Sequence, residues 1–152
     1  MTPAAHADRA LAGASAALRG GRWNSKGMPA VYASLDAATT VLETLATIDP
    51  ADAPEGGFRL LQLELPDDAP LLEPKLTALP EGWDLAEKTA EVQEFGDAFL
   101  RSGKELVMIV PGATLSESRN AVINPSHPRA GEIKIARSRK FSFDPRWPLT
   151  ER

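Results

Sequence analysis

Leu106-Val107-Met108-Ile109-Val110 is an unbroken apolar run closed by Pro111. It constrains the fold more than any other stretch. Five consecutive apolar residues cannot keep one face in water, so the run predicts a strand buried on both faces within a sheet. Such a strand needs neighbours, and the chain offers short β-prone runs set between breakers. Ala30–Ser34 follows Gly27 and Pro29, and Phe58–Leu65 follows Gly56-Gly57. Ala121–Asn124 and Glu132–Arg137 come later, with Phe141 and Phe143 marking one more short strand. Two stretches carry a helical period instead. Ser34 is read as the N-cap of a helix running to about Ile48, on which Ala38, Val41, Leu42, Leu45 and Ile48 form one apolar stripe. Glu43 lies beside that stripe, on the flank of Thr39, Thr40 and Thr47. A second helix is expected over 86–102, with Thr89, Val92, Gly96, Phe99 and Leu100 inward and its end near Gly103. Residues 1–19 show no clear period, 49–57 are turn-rich around Asp49-Pro50, and Pro66–Pro80 reads as an irregular surface loop. Strands and helices in irregular order predict an α+β fold with a mostly antiparallel sheet, as a single domain over 1–152.

Composition closes off several kinds of chemistry. Apolar content of 43% and charged content of 25% are globular values. There is no cysteine, which excludes disulfides, zinc thiolates and a Cys nucleophile. A net charge of −4 argues against a general nucleic-acid binder, because neutralising phosphates needs a basic surface. No apolar run suits a signal peptide or a bilayer span, so a soluble cytoplasmic protein without a membrane partner is expected. His6 and His127 have no metal-ligand company, and no Ser has an evident His and Asp to complete a triad. Neither GxGxxG nor a P-loop is present.

Three residues about ten apart stand out. Arg22 lies in GGRWN, where the glycines let the backbone bend closely around whatever the guanidinium holds, and Arg can pair two phosphate oxygens at once. Tyr32 lies within the first β-prone run, and its ring can stack on a planar group while its hydroxyl reaches a ribose or phosphate. Glu43 can stabilise the oxocarbenium-like sugar that forms when a nucleotide's N-glycosidic bond breaks. Each has an ordinary alternative: a surface Arg beside a turn, a core Tyr bonded to backbone, a solvated helix carboxylate. The stretch Arg119–Pro128 offers Asn120, Asn124 and His127 as hydrogen-bonding groups, though Asn-Pro and His-Pro are also common turn dipeptides. Lys134, Arg137, Arg139, Lys140 and Arg146 form a basic patch that a solvated edge strand explains. Partner or phosphate contact is the sharper alternative there.

The order of motifs resembles the RES domain family. GGRWN-x-x-G-x-P-x-VYAS is followed by a helix carrying Leu42-Glu43, Gly82-Trp83, FGDAFL over Phe95–Leu100, and the strand ending Val110-Pro111. N-x-x-x-NP-x-HP from Asn120 to Pro128 and the closing FSFDPRW complete the likeness, which covers about Asp8 to Trp147. The resemblance implies an ADP-ribosyltransferase-like fold, with a mostly antiparallel split sheet and flanking helices. It implies a toxin of a type II toxin–antitoxin pair, partnered with an Xre-type helix-turn-helix antitoxin. Such a toxin consumes NAD⁺ as substrate without a metal, cleaving the nicotinamide–ribose bond. ADP-ribose then goes to a cellular protein, or NAD⁺ is degraded by hydrolysis or phosphorolysis. On this resemblance Arg22 holds the dinucleotide phosphates, Tyr32 shapes the nicotinamide–ribose pocket, Glu43 stabilises the ribosyl cation, and Asn120 is a further polar pocket position. Two departures bear on the site. Where the family commonly reads VPS this chain reads Val110-Pro111-Gly112, so an expected hydroxyl is missing. The family's usual first strand, upstream of the glycines, is also not evident. A non-catalytic NAD-binding or antitoxin-binding module is the alternative those departures keep open.

Overall fold

The computed structural model describes residues 1–48 and 53–144. The turn at Asp49-Pro50 and the ending that includes Arg146 and Trp147 lie outside the described residues. Among the described residues, seven strands form two sheets. One has the order β1-β3-β7, from Thr2–Pro3, Phe58–Glu64 and Lys134–Phe141; the other has the order β2-β6-β5-β4, from Val31–Ser34, Arg119–Ile123, Val107–Pro111 and Leu71–Leu72. Every pairing is antiparallel except that of β4 with β5. The helices are α1 (Ala14–Arg19), α2 (Ala37–Leu45) and α3 (Ala90–Ser102), with a 3₁₀ stretch over Ala4–Ala12.

The apolar run sits where its composition requires. β5 lies between β6 and β4, and Val107, Met108 and Val110 are fully buried. Because strand side chains alternate, the second sheet has two different faces. Met108, Val110 and Val122 pack with Trp23 and with Val92, Phe99 and Leu100 of α3. Val31, Val107, Ala121 and Ile123 face the other way and pack with Ile133, joined by Leu63 of β3 and by Leu65. The sheet is thus sandwiched between α3 and the smaller sheet. Helix α3 is held by its ends as well as its inner face: Thr89 Oγ1 accepts from Val92 N–H at 3.3 Å, and Gly103 closes it at φ 59°.

Several expectations need correction. The cap of α2 is Asp36, whose carboxylate accepts from Thr39 N–H at 2.8 Å; Ser34 ends β2 and its hydroxyl bonds elsewhere. Helix α2 stops at Leu45, short of Ile48, and its apolar stripe is only half-buried, with Ala38 exposed. Thr39 is the buried residue of this helix. Helix α3 begins at Ala90 instead of Ala86, with Thr89 as its cap. The two strands expected near Ile133 and Phe141 are one continuous β7. Inside the proline-rich loop, Leu71-Leu72 pairs in parallel with Val107-Met108. The basic residues Lys134, Arg137, Arg139 and Lys140 do lie on an exposed edge strand.

Candidate active site

Two neighbouring rows of the second sheet carry the candidate residues. Tyr32 pairs with Val122 and Met108 pairs with the same residue; Ser34 and Val110 both pair with Asn120. These side chains share the face covered by α3. One row past Val122 the face changes from apolar to polar, at Asn120. Ser34 Oγ donates to Asn120 Oδ1 at 2.7 Å, and Asn120 Nδ2 donates to Glu43 Oε1 at 2.8 Å. Thr114 Oγ1 donates to the other carboxylate oxygen at 3.2 Å. Glu43 stands one helical turn after the buried Thr39, so the threonine flank of α2 meets the sheet and brings the carboxylate to the end of β6. Gly112 gives it room: a Cβ there would lie 3.1 Å from Glu43 Oε1.

Tyr32 is 38% exposed, yet its hydroxyl end is enclosed. The hydroxyl donates to Asn24 Oδ1 at 2.7 Å and accepts from Trp23 N–H at 2.9 Å. Burial pushes its pKa up, so the phenol stays protonated. Gly21 makes this approach possible, since a Cβ there would fall 2.3 Å from the Tyr32 oxygen. The hydroxyl therefore anchors the GGRWN turn, and the exposed part of the residue is what remains for stacking. Tyr32→Phe is expected to leave Asn24 Oδ1 and Trp23 N–H without that partner and to lower stability by about 1–3 kcal/mol. Urea unfolding checks this; an unchanged midpoint would mean that the buried pair contributes nothing.

Arg22 follows the same turn. Its Nη1 donates to Trp83 O at 3.0 Å and to Leu85 O at 2.6 Å, tying the turn to the Gly82-Trp83 segment. The structure thus brings Glu43 and Asn120 into direct contact. It sets Tyr32 on the same sheet face, and Arg22 beside the turn that Tyr32 holds.

Asn24 is the residue that sequence reasoning missed. It is wholly buried, and its Nδ2 donates to the carbonyls of Ala16, Ser25 and Met28 at 3.0, 3.1 and 2.8 Å. Its signal was its place in GGRWN, read there for Arg22 alone. Asn124 and His127, by contrast, are buried structural groups. Asn124 Nδ2 donates to Leu100 O at 2.8 Å, and His127 Nδ1 accepts from Arg129 N–H at 3.0 Å. Among the described residues no cluster of His, Asp and Glu is arranged to hold a metal ion, and no helix is long and apolar enough to cross a membrane.

The family model described as RES domain matches residues 2–149. The chain belongs to the RES domain family. A Prs ADP-ribosylating toxin of Sphingobium sp. (strain YBL2) is 37% identical over 139 residues, covering 90% of this chain and 85% of that protein. A Toxin Res of Pseudomonas putida KT2440 is 36% identical over 133 residues, covering 86% and 87% respectively. The fold resembles a chain in the crystal structure of the M. tuberculosis MbcT–MbcA toxin–antitoxin complex, with TM-score 0.70, 21% identity, and coverage of 93% of this chain and 81% of that one. That likeness is one of fold. The pairing of Thr2-Pro3 with Phe58-Arg59 supplies a short first strand to the smaller sheet of this RES domain.

Proposed function

We propose that this RES domain, acting as one unit over 1–152, is a cytoplasmic toxin that consumes NAD⁺ by breaking its nicotinamide–ribose bond and transfers ADP-ribose to a protein. The observation that carries the reading is the Asn120–Glu43 hydrogen bond of 2.8 Å, at the end of the sheet face that also bears Tyr32. As C1′ loses nicotinamide, the bonding electron pair leaves with the pyridinium nitrogen and the ribose becomes cationic. Glu43 stabilises that cation, and Asn120 fixes the carboxylate so that it needs little reorganisation. The exposed face of Tyr32 bounds the nicotinamide–ribose pocket. Arg22 Nη1 is tied to carbonyls, and the rest of the guanidinium fork takes the pyrophosphate. The relative named a Prs ADP-ribosylating toxin supports transfer to a protein. The structural neighbour from a toxin–antitoxin complex supports an antitoxin partner, here proposed to be of the Xre helix-turn-helix type.

NAD⁺ labelled on the adenylate side, incubated with pure protein with and without cell lysate and phosphate, tests this. Label on a protein band is expected. Free ADP-ribose or its phosphorylated form would mean degradation of NAD⁺, and no product in any channel would leave a non-catalytic NAD-binding or antitoxin-binding module. Arg22→Ala is expected to weaken NAD⁺ binding about tenfold or more, the loss of charge-assisted hydrogen bonds worth about 1.5–3 kcal/mol. Titration calorimetry measures it, and unchanged affinity would remove Arg22 from the phosphate site.

A further inference from the structure

Gly112 occupies a position where a side chain would force its neighbours to shift. A Cβ built there would lie 2.1 Å from Ser118 Oγ and 2.7 Å from Leu115 O, as well as 3.1 Å from Glu43 Oε1. The Ser118 hydroxyl and the Glu43 carboxylate therefore both close on the same side of Gly112. This glycine lies where β5 turns into β6, a turn closed by Gly112 N–H donating to Ser118 O at 3.0 Å. Within that turn Ser118 Oγ–H donates to Leu115 O at 2.7 Å, while Ser118 N–H donates to the same carbonyl at 2.9 Å.

A serine hydroxyl has one donor and two lone pairs. With its hydrogen held by Leu115, the Ser118 oxygen has only acceptor capacity left to offer. The carboxylate of Glu43 is an acceptor as well, already steadied by Asn120 and Thr114. Two acceptor oxygens brought close together beside Gly112 suit a ligand group that carries hydrogens to donate. The carbonyl of Leu115 is already satisfied by a backbone N–H, so the turn does not depend on the hydroxyl.

We propose that Ser118 belongs to the reactive end of this site, its Oγ accepting a hydrogen of the group that attacks the ribose and so aiming that group at C1′. The inference rests on the NAD⁺-consuming reading. In the step concerned, the attacking atom bonds to C1′ while the C1′–nicotinamide bond breaks. The electron pair leaves on nicotinamide, and the attacking group's proton passes to Glu43 and on to water. Gly112 is needed because any side chain there would displace the Ser118 hydroxyl.

Steady-state kinetics with NAD⁺ and thermal melts on one set of variants test this. Ser118→Ala is expected to lower kcat tenfold or more with KM for NAD⁺ and the melting temperature little changed, and Ser118→Thr, which keeps the hydroxyl, should retain at least a third of kcat. Gly112→Ser should lower the melting temperature. Adding Ser118→Gly to it should recover part of that temperature, the contact with the Leu115 carbonyl remaining, and, with a hydroxyl supplied from position 112, lift kcat well above that of Ser118→Ala. A Ser118→Ala kcat within twofold of wild type overturns the proposal, as does a double variant no better than Ser118→Ala. If wild type turns over NAD⁺ and Glu43→Gln does not, such a result removes Ser118 alone. Absence of turnover in wild type removes the function and this inference together.

Discussion

Glu43→Gln is expected to cut NAD⁺ turnover about a thousandfold while leaving NAD⁺ affinity within about threefold. The substitution is nearly isosteric. Its amide oxygen can still accept from Asn120 Nδ2, now 2.8 Å from Oε1, and its NH₂ can face Thr114 Oγ1 in place of Oε2. The pocket's shape therefore survives, and what disappears is one negative charge. A unit charge about 4 Å from the ribosyl cation is worth roughly 4 kcal/mol at the effective dielectric of a partly buried site, or about three decades in rate. The ground state carries its positive charge on the pyridinium ring, so binding loses much less than the transition state does. Single-turnover kinetics paired with calorimetry separate the two effects. Near-normal turnover would show that Glu43 is a helix carboxylate hydrogen-bonded for structural reasons. An equal loss of affinity and rate would assign it to uniform substrate binding.

Local patterns in the sequence predict the strand–turn–helix unit that presents this carboxylate, and the buried strand β5 beside it. Both rest on signals within a few residues: an apolar run, a β-prone run after Gly and Pro, a helical period. What local patterns could not reveal depends on partners far along the chain. Ser34 looked like a helix cap because hydroxyls cap helices, yet its partner is Asn120, delivered by strand pairing 86 residues away. The apolar stripe of α2 looked like the buried face, but the helix is seated on Thr39 and the flank bearing Glu43. Leu71-Leu72 lies among prolines and has the composition of a loop, and a two-residue parallel pairing leaves no periodicity to detect. Arg22, Tyr32 and Glu43 were each more ordinary than functional when taken singly. Their order among the family motifs made them candidates, and the geometry then changed one of them. The Tyr32 hydroxyl, expected to reach substrate, is committed to Asn24 and Trp23.

Gly96→Ala is the second large effect, and it sets two opposing terms against each other. Gly96 lies inside α3, where Ala would be favoured by about 1 kcal/mol on helix propensity alone. A Cβ at that position, however, would fall 2.0 Å from Trp23 O and 2.6 Å from Trp23 C. Those are backbone atoms of the GGRWN turn, which cannot swing aside as the end of a flexible side chain can. The same helix holds the turn at two other points: Asp97 Oδ1 accepts from Ser25 N–H at 2.9 Å, and Gln93 Nε2 donates to Gly21 O at 3.0 Å. Helix and turn must therefore separate, opening the core around Trp23 and stretching bonds to buried groups. Overpacking of this kind typically costs about 1–3 kcal/mol, and here the lost ties to the turn add to it. The expected result is a lower melting temperature despite the better helix former. NAD⁺ binding should weaken as well, because Arg22 and the Tyr32 hydroxyl both depend on where the turn lies. A variant more stable than wild type would show that the turn yields freely and that helix propensity decides. Lost stability with NAD⁺ affinity intact would separate the turn from the dinucleotide site.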